Sequence, residues 1–379
     1  MKKLAIIGAS YLQAPLIIRA NQLGFETHVF AWAANDVGET LAYHFYPISI
    51  IEKEEILQVC RKIQIDGICS IGSDLAVITV NYVAKEMNLI GNSLISTENS
   101  TNKSLMRRCF EENGDPSPRS ICVDSADDER LEELSFPLIV KPVDRSGSRG
   151  IAKVLHDSEL SAAIERAKSI GFLKKAVVEE FVEGHEYSVE CISWEGKHEL
   201  LAITQKYTTG SPGFVETAHL EPALITADLR DRISGVVFHA LDSLEIQYGA
   251  SHSELKVTPS GEIVLIEIGA RMGGDVIGSD LVQLSTGIDF VKAVIQVAVG
   301  QKPDIERKEF RAAAVRFILS SDDLSALERV KKENPSLIVR ESVGQLVKKT
   351  VTDSSERFGY FILSSSDPGQ LLPYLPERD

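Results

Sequence analysis

Two carboxylates, Glu254 and Glu267, occupy predicted strands that a Thr-Pro-Ser-Gly turn joins. Glu267 follows an apolar run at 263–266, and a charge buried there is costly unless a cation or a donor compensates it. Glu254 on the partner strand can face it, and such a pair suits a divalent ion such as Mg²⁺, which prefers oxygen ligands. Arg271 could stabilise charge that develops on a phosphoryl group or a tetrahedral intermediate. A surface salt bridge between Glu267 and Arg271 is the simpler alternative, which the apolar run disfavours.

A second candidate segment, residues 138–151, reads LIVKPVDRSGSRGI. Lys141 ends a predicted strand, and the loop after it contains Ser146, Gly147 and Ser148. Glycine lets backbone N–H groups approach phosphate oxygens closely, and the serine hydroxyls add donors. A hairpin turn uses the same residue types, so the loop alone leaves both interpretations open.

Paired carboxylates, Glu179 and Glu180, end the next predicted strand, and Glu186 lies one short turn beyond them. A carboxylate at a strand end can accept a hydrogen bond from an adenine amino group, and Glu186 could hold ribose hydroxyls. A charged hairpin tip is the alternative for this segment.

The chain opens with a predicted strand at 4–7, a turn at Gly8 and a helix at 14–23, as dinucleotide-binding folds do. The dinucleotide fingerprint fails, because no second or third glycine follows and no acidic residue ends the second strand at Phe30. A nicotinamide dehydrogenase is therefore disfavoured. Gly8 is either structural or part of a substrate site at the carboxyl edge of the sheet.

Composition narrows the class of protein. The 379 residues carry a formal net charge of −15, and an acidic chain lacks the basic surface that nucleic acids require. The N-terminal apolar stretch is too short for a signal peptide, and no segment reaches membrane-spanning length. The five cysteines show no metal-binding spacing and are predicted to be free thiols. We therefore expect a cytoplasmic protein with neither a nucleic-acid partner nor a membrane partner.

The order of predicted elements indicates a multidomain α/β and α+β protein. Strand, glycine turn and helix recur up to residue 95, which predicts a doubly wound parallel sheet. Residues 96–301 follow an α+β pattern of two lobes, one of them a glycine-loop lobe at about 118–182. Residues 302–379 predict a small C-terminal α+β lobe.

Taken in order, these motifs resemble the ATP-grasp superfamily over about residues 1–300. The resemblance rests on Lys103, Lys141, the glycine loop, the Glu-Glu-Phe-Val segment at 179–182, and the two strands carrying Glu254, Glu267 and Arg271. The stretch at 203–222 is similar to the carbamoyl-phosphate-synthase-like and L-amino-acid ligase branch. The resemblance implies a pre-ATP-grasp domain at 1–95 and an ATP-grasp domain at 96–301.

The same resemblance implies a role for each matching position. Lys141 and Arg271 would be catalytic, and Glu254 and Glu267 would bind the metal. The implied nucleotide site comprises Lys103, Lys141, Ser146, Gly147, Ser148, Glu179, Glu180, Phe181, Val182, Glu186 and Lys206. The implied substrate site comprises Glu216, His219, His252, Arg271, Gly273 and Gly274.

Two of these positions leave alternatives open, and one further position departs from the pattern of the superfamily. For His219 and His252 the alternative is an imidazole that merely satisfies a buried backbone group. Gly269 stands where many relatives have an asparagine after the second metal-binding glutamate, so a third protein ligand is missing.

The resemblance implies an ATP-dependent carboxylate–amine ligase that forms an amide or peptide bond through an acyl-phosphate. The cofactors would be ATP and Mg²⁺ or Mn²⁺. The substrates would be small-molecule carboxylates and amines, with an amino acid among them. A homodimer is also possible. Two other functions stay open: a bicarbonate-activating enzyme like carboxylases or carbamoyl-phosphate synthase, and a non-catalytic nucleotide sensor, which the missing asparagine would favour.

Overall fold

A computed structural model describes residues 1–147, 149–211, 213–346, 351 and 353–377. The N-terminal part is a parallel sheet in the order β3-β2-β1-β4, with helices connecting its strands. Ile6 lies beside Val29 on one side and Cys69 on the other, as the buried apolar runs predict. The elements are β1 Lys3–Ile7, α1 Ala14–Gln22, β2 Glu26–Phe30, α2 Val37–Leu41, β3 His44–Tyr46, α3 Lys53–Ile63, β4 Gly67–Cys69 and α4 Asp74–Glu86.

Two helices lead into an antiparallel sheet in the order β5-β8-β6-β7. The Asn102 side chain accepts hydrogen bonds from the backbone N–H groups of Ser104 and Leu105, at 3.0 and 3.3 Å, and so caps α6. This cap makes Lys103 the first helical residue. The elements are α5 Leu94–Thr101, α6 Lys103–Asn113, β5 Ser120–Val123, β6 Leu138–Pro142, β7 Ala152–Val154, α7 Asp157–Ile170 and β8 Ala176–Glu180, with a 3₁₀ turn at Glu129–Glu133.

The largest sheet has eight strands in the order β13-β12-β9-β10-β11-β14-β16-β15, all antiparallel. Its first five strands in this order come from the middle of the chain, and the hairpin of β12 and β13 pairs Glu254 with Glu267. The middle elements are β9 His185–Trp194, β10 Lys197–Thr208, β11 Glu216–Glu221, α8 Ala227–Ser243, β12 Gly249–Val257, β13 Ile263–Gly269, a π-helix Ile277–Leu281, α9 Val282–Thr286 and α10 Phe290–Ala298.

The C-terminal strands continue this sheet, because β14 pairs with β11. The fold class predicted from the sequence is confirmed. The expected C-terminal lobe, however, is joined to the middle of the chain by backbone hydrogen bonds, so residue 302 marks no break in the sheet. We retain the division at 95 and 301 as a proposal. The elements are β14 Ala312–Phe317, α11 Ser321–Glu333, β15 Ile338–Val343 and β16 Gly359–Ser365, with 3₁₀ turns at Pro335–Leu337, Ser354–Glu356, Pro368–Gln370 and Leu372–Tyr374.

A shared apolar core holds the N-terminal sheet against the large sheet. Leu16 and Ile17 of α1 pack in one buried cluster with Val294 of α10 and Ile192 of β9.

Within the described ranges, no single helix is long and apolar enough to span a membrane. The segments 277–286 and 290–298 reach that length and composition only when taken together, and they are bent by 117° relative to each other.

Candidate active site

One cavity collects nearly all of the predicted site residues. Strands of both antiparallel sheets contribute to it, and Tyr11 and Asp74 reach it from the N-terminal part. Gly273 lies just behind its wall, and Ser148 lies outside the described residues. The predicted residues that line the cavity are Lys103, Lys141, Ser146, Gly147, Glu179, Glu180, Phe181, Val182, Glu186, Lys206, Glu216, His219, His252, Glu254, Glu267, Arg271 and Gly274.

Lys141 is held by a buried carboxylate. Its Nζ lies 2.7 Å from Glu179 Oε2, and Arg107 Nε lies 2.8 Å from Glu179 Oε1. Burial lowers the pKa of Lys141 while Glu179 opposes the shift. Both oxygens of Glu179 are thus engaged by cations, so the structure gives no support to its predicted contact with adenine. Glu179 instead positions Lys141.

Glu180, Phe181 and Val182 form the end of β8 and the start of the next turn. The Glu180 side chain accepts a hydrogen bond from the backbone N–H of Ser135 at 3.0 Å, and the Val182 carbonyl accepts one from Lys256 Nζ at 3.2 Å. Lys153 Nζ lies 3.5 Å from the centre of the Phe181 ring. This backbone edge and the aromatic ring both line the cavity.

The two predicted metal ligands each carry a lysine partner. Lys103 Nζ lies 2.8 Å from Glu267 Oε1 and donates also to the Arg145 carbonyl at 2.6 Å. Lys206 Nζ lies 2.6 Å from Glu254 Oε1 and 2.8 Å from Glu186 Oε1. Burial opposes the charge on Lys206, but the carboxylates around it hold its pKa well above the ordinary value.

Glu254 and Glu267 fit a divalent metal ion. They face each other in the register of β12 and β13, and their carboxylate oxygens are the hard ligands that Mg²⁺ and Mn²⁺ prefer. Burial disfavours the Glu254 carboxylate, yet Lys206 and His252 hold its pKa well below the ordinary value. The site thus keeps Glu254 ionised, as a metal ligand must be.

Close packing explains why a glycine occupies position 269. A Cβ atom there would lie 2.6 Å from Asp74 Oδ1, which is too close for any side chain in this conformation. Asp74 in turn binds Arg271 through two hydrogen bonds, from Nε at 2.8 Å and from an Nη atom at 3.0 Å. The space of the missing asparagine is therefore occupied by an ion pair between the N-terminal helix α4 and the loop after β13.

This ion pair also fixes the catalytic candidate Arg271. Burial opposes its charge, but the Asp74 carboxylate more than offsets that effect and raises the pKa of Arg271 further. Asp74 was not predicted from the sequence as a site residue. The available signal was its place in the Gly-Ser-Asp turn after β4, since ligands bind beyond the carboxyl ends of parallel strands.

On the substrate side, Glu216 belongs to a buried charge network. Arg357 lies 2.8 Å from Glu216 Oε2 and 2.8 Å from Asp275 Oδ2, with its guanidinium 3.8 Å from the centre of the Phe317 ring. His219 Nε2 is 3.8 Å from Asp275 Oδ2, and burial lowers the pKa of His219. Arg357 was not predicted, because nothing in the sequence around it suggests chemistry.

His252 is not a simple backbone-satisfying imidazole. Its Nδ1 makes a very short contact with Glu190 Oε1, and its Nε2 lies 3.5 Å from Glu254 Oε1. Burial opposes the imidazolium, but Glu190 raises the pKa of His252 to about 9. Gly273 donates its backbone N–H to Glu190 at 3.0 Å, and a Cβ there would lie 2.6 Å from His252 Nδ1. Gly273 therefore acts by permitting this close packing.

A second cavity lies at the carboxyl edge of the N-terminal sheet. It is lined by Gly8 and by apolar side chains such as Trp32 and Phe172, and it shares Lys103 and Glu267 with the first cavity. Of the two interpretations of Gly8, a place beside a ligand cavity is the one that this geometry favours.

Comparison with known proteins agrees with the geometry. Residues 134–280 match the family model of an ATP-grasp domain. The alanine–anticapsin ligase of Bacillus amyloliquefaciens is 29% identical over 264 residues, which cover 61% of this chain and 55% of that protein. The chain thus spans about half the length of the curated relatives that it matches first.

Solved structures cover the whole architecture. The L-amino acid ligase from Bacillus licheniformis superposes with a TM-score of 0.83 at 26% identity, over 99% of this chain and 96% of that one. The N5-carboxyaminoimidazole synthetase from Staphylococcus aureus, solved with ADP, has a TM-score of 0.77 at 15% identity over 98% and 95% of the chains, which shows a common fold.

Residues 134–280 thus form an ATP-grasp domain, and the cavity lined by lysines and facing carboxylates lies largely within that part of the chain. Two of the similar proteins, the alanine–anticapsin ligase and the L-amino acid ligase, are ligases by name.

Proposed function

We propose that this protein is an ATP-dependent ligase that joins a carboxylate to an amine through an acyl-phosphate, with an amino acid as one substrate. The observation that carries the proposal is the convergence in one cavity of two lysines, Lys103 and Lys141, the facing carboxylates Glu254 and Glu267, and the clamped Arg271.

The nucleotide would lie along the glycine-loop lobe. Lys141 and Lys103 would contact its phosphates, with Ser146 and Gly147 covering them. Glu180, Phe181 and Val182 would hold adenine, and Glu186 would hold the ribose. Buried lysines are suited to this task because fixed positive charge in a water-poor site stabilises phosphoryl oxygens strongly.

Glu254 and Glu267 would hold Mg²⁺ or Mn²⁺, and such an ion neutralises phosphate charge and aligns the transferred group. Lys103 and Lys206 stand beside these two carboxylates and would keep phosphate oxygens and carboxylates close together. Arg271, oriented by Asp74, would stabilise the negative charge of the acyl-phosphate and of the tetrahedral intermediate as the amine attacks.

Substrate binding is proposed for the opposite wall. Glu216 and Asp275 share Arg357, and the Lys206 ammonium 3.8 Å from Glu216 is divided among three carboxylates. The remaining negative charge suits the ammonium group of an amino acid. The apolar second cavity offers space for a substrate side chain. His219 and Gly274 line the same wall, and His252 contributes a positive charge near Glu254.

We also propose a cytoplasmic location, since the activity needs ATP and since the five cysteines are free thiols. A homodimer stays a prediction, which light scattering after gel filtration tests directly.

The test is phosphate release from ATP and Mg²⁺ against a panel of single amino acids, amino-acid pairs and bicarbonate. Glu267→Gln removes one of the two carboxylates proposed to bind the metal, and Glu262→Gln, at an exposed position in the turn of the same hairpin, is the matched control. Release that requires amino acids, survives in Glu262→Gln and is lost in Glu267→Gln supports the ligase.

Two other results would redirect the proposal. Release that depends on bicarbonate alone would establish a bicarbonate-activating enzyme. Nucleotide binding without release under any condition would establish a sensor, although its one support from the sequence is weakened because the Asp74–Arg271 pair fills the space beside Gly269.

A further inference from the structure

Three potential metal ligands lie together on the N-terminal sheet, away from the residues that line the two cavities. They are Glu26 and His28 of β2 and His44 of β3. His28 and His44 are direct neighbours in the parallel register, and Glu26 precedes His28 by two residues, which puts both on the same face of the strand. Backbone pairing therefore brings the three side chains together.

The distances between the ligand atoms approach those of a tetrahedral metal site. Glu26 Oε1 lies 3.2 Å from His28 Nε2 and 3.2 Å from His44 Nε2. Metal–ligand bonds of about 2.0–2.1 Å in a tetrahedral zinc site put neighbouring ligand atoms about 3.3 Å apart. All three ligand atoms lie within 4.8 Å of one another. Because the two rings are stacked at 21° to each other, the half-exposed His44 side chain would rotate on metal binding so that its Nε2 lone pair points to the ion.

The buried His28 ring presents its Nε2 to the Glu26 carboxylate. His28 is 3% exposed, and its Nε2 lies 3.2 Å from Glu26 Oε1 without the alignment of a hydrogen bond. The other ring nitrogen, Nδ1, lies 3.1 Å from the Tyr46 hydroxyl. A hydrogen bond at Nδ1 fixes the ring and leaves Nε2 to bind a metal, which is the usual arrangement of a metal-binding histidine.

The packing of the two rings favours neutral histidine ligands. The rings of His28 and His44 stack with centroids 4.8 Å apart, so two protonated rings would repel each other. A metal ion would use both rings in their neutral form and balance the Glu26 carboxylate.

We propose that Glu26, His28 and His44 bind a divalent transition-metal ion, with Zn²⁺ as the expected ion and water completing its coordination. Two imidazoles and one carboxylate are a ligand set that Zn²⁺ uses and that Mg²⁺ does not favour. This site is separate from the Glu254–Glu267 site and does not depend on the proposed ligase activity.

Binding at this site would join the edge strand β3 to β2. Both strands lead directly into the second cavity, through Ala31 and Trp32 after β2 and through Ser49 and Ile50 after β3. A metal ion would therefore brace two of the loops that line that cavity.

The experiment is a titration of the full-length protein with Co²⁺, followed by its visible absorption, with excess Mg²⁺ present to occupy oxygen-only sites. Four-coordinate Co²⁺ with nitrogen ligands absorbs strongly, and addition of Zn²⁺ should abolish the band by displacement. We expect about one equivalent to bind, and at least about a tenfold loss of affinity in His44→Gln, since even indirect partners of a metal are worth that much.

His156→Gln, which removes an exposed histidine elsewhere, should bind as the unmodified protein does. Glu26→Gln should weaken binding too, and circular dichroism shows whether either variant is folded. Absence of the band at about neutral pH, or an equal band in His44→Gln and the unmodified protein, would overturn the proposed site whether or not the protein proves to be a ligase.

Discussion

The two walls of the active-site cavity have opposite charge balances. On the nucleotide wall, two cations, Arg107 and Lys141, share one carboxylate, Glu179. On the substrate wall, Glu216 and Asp275 share Arg357. The other cation near Glu216 is Lys206 at 3.8 Å, which also serves Glu186 and Glu254, so four carboxylates share two cations. One wall thus has surplus positive charge and the other surplus negative charge. If the protein is the proposed ligase, this difference would orient its ligands by charge, with phosphates towards the glycine-loop lobe and an ammonium group towards β11.

The largest expected effect comes from removal of the shared cation. Arg357→Met would remove the nearest cation from two partly buried carboxylates and leave Glu216 only Lys206 and Asp275 only His219, each at 3.8 Å. We expect a loss of about 3 kcal/mol in the free energy of unfolding, the lower end for breaking a buried pair. Arg107→Met is the matched change on the nucleotide wall, where Lys141 still compensates Glu179, so its loss should be smaller. Urea denaturation of both variants measures the difference. Equal losses in the two variants would contradict the proposed difference in charge balance between the two walls.

Substitution of Arg271 tests whether this residue takes part in catalysis. Arg271→Met should lower kcat for ATP-dependent phosphate release by about 10²–10³-fold, the usual effect of removing a donor to developing negative charge. Arg271→Lys keeps the charge but loses the two-point contact with Asp74, so it should recover only part of the rate. Full activity of Arg271→Met would exclude a catalytic role for this residue.

A pH dependence of stability follows from His252. Because its pKa is raised from 6.5 to about 9 in the folded protein, the stabilisation is complete below pH 6.5 and is lost as pH rises towards 9. The change should amount to at most about 3 kcal/mol, since each pKa unit corresponds to about 1.4 kcal/mol. Denaturation across this range should show the decline in the unmodified protein and in His156→Gln, and a flatter profile in His252→Gln. The same decline in His252→Gln would assign it to another group.

The smallest effect expected is at Gly269. Gly269→Asn would force a side chain against Asp74 and should destabilise the protein by about 1–3 kcal/mol, as overpacking does. In the double variant Gly269→Asn with Asp74→Ala the clash is gone, so the combined loss should be less than the sum of the single losses. Strict additivity would show that the Asp74 side chain does not occupy this space.

The sequence predicted the nucleotide wall better than the substrate wall. Lys141 and Glu267 end apolar strands, and a charged residue in that position is visible without any tertiary information. The roles of Glu179 and Glu180 were harder to predict. Consecutive strand residues point to opposite faces, and the sequence does not say which of the two faces a ligand. The structure settles which of them has buried cationic partners.

The missed residues share one physical cause. Asp74, Glu190 and Arg357 acquire their roles through partners that lie 197, 62 and 141 residues away, namely Arg271, His252 and Glu216. Local periodicity and spacing carry no information about such pairs. The fold class was predictable because it depends on repeated local patterns, whereas pairing of β14 with β11 is a long-range contact and was not foreseen.

The pairing of β14 with β11 also makes the end of the chain a structural support for the substrate wall. β11, which carries Glu216 and His219, lies between β10 and β14. Deletion of the residues after β13 would expose the hydrogen-bonding groups along one side of β11, and an open strand edge of this kind invites self-association. A shortened form of this protein that keeps every nucleotide-binding residue would therefore be expected to aggregate rather than to act as a minimal enzyme.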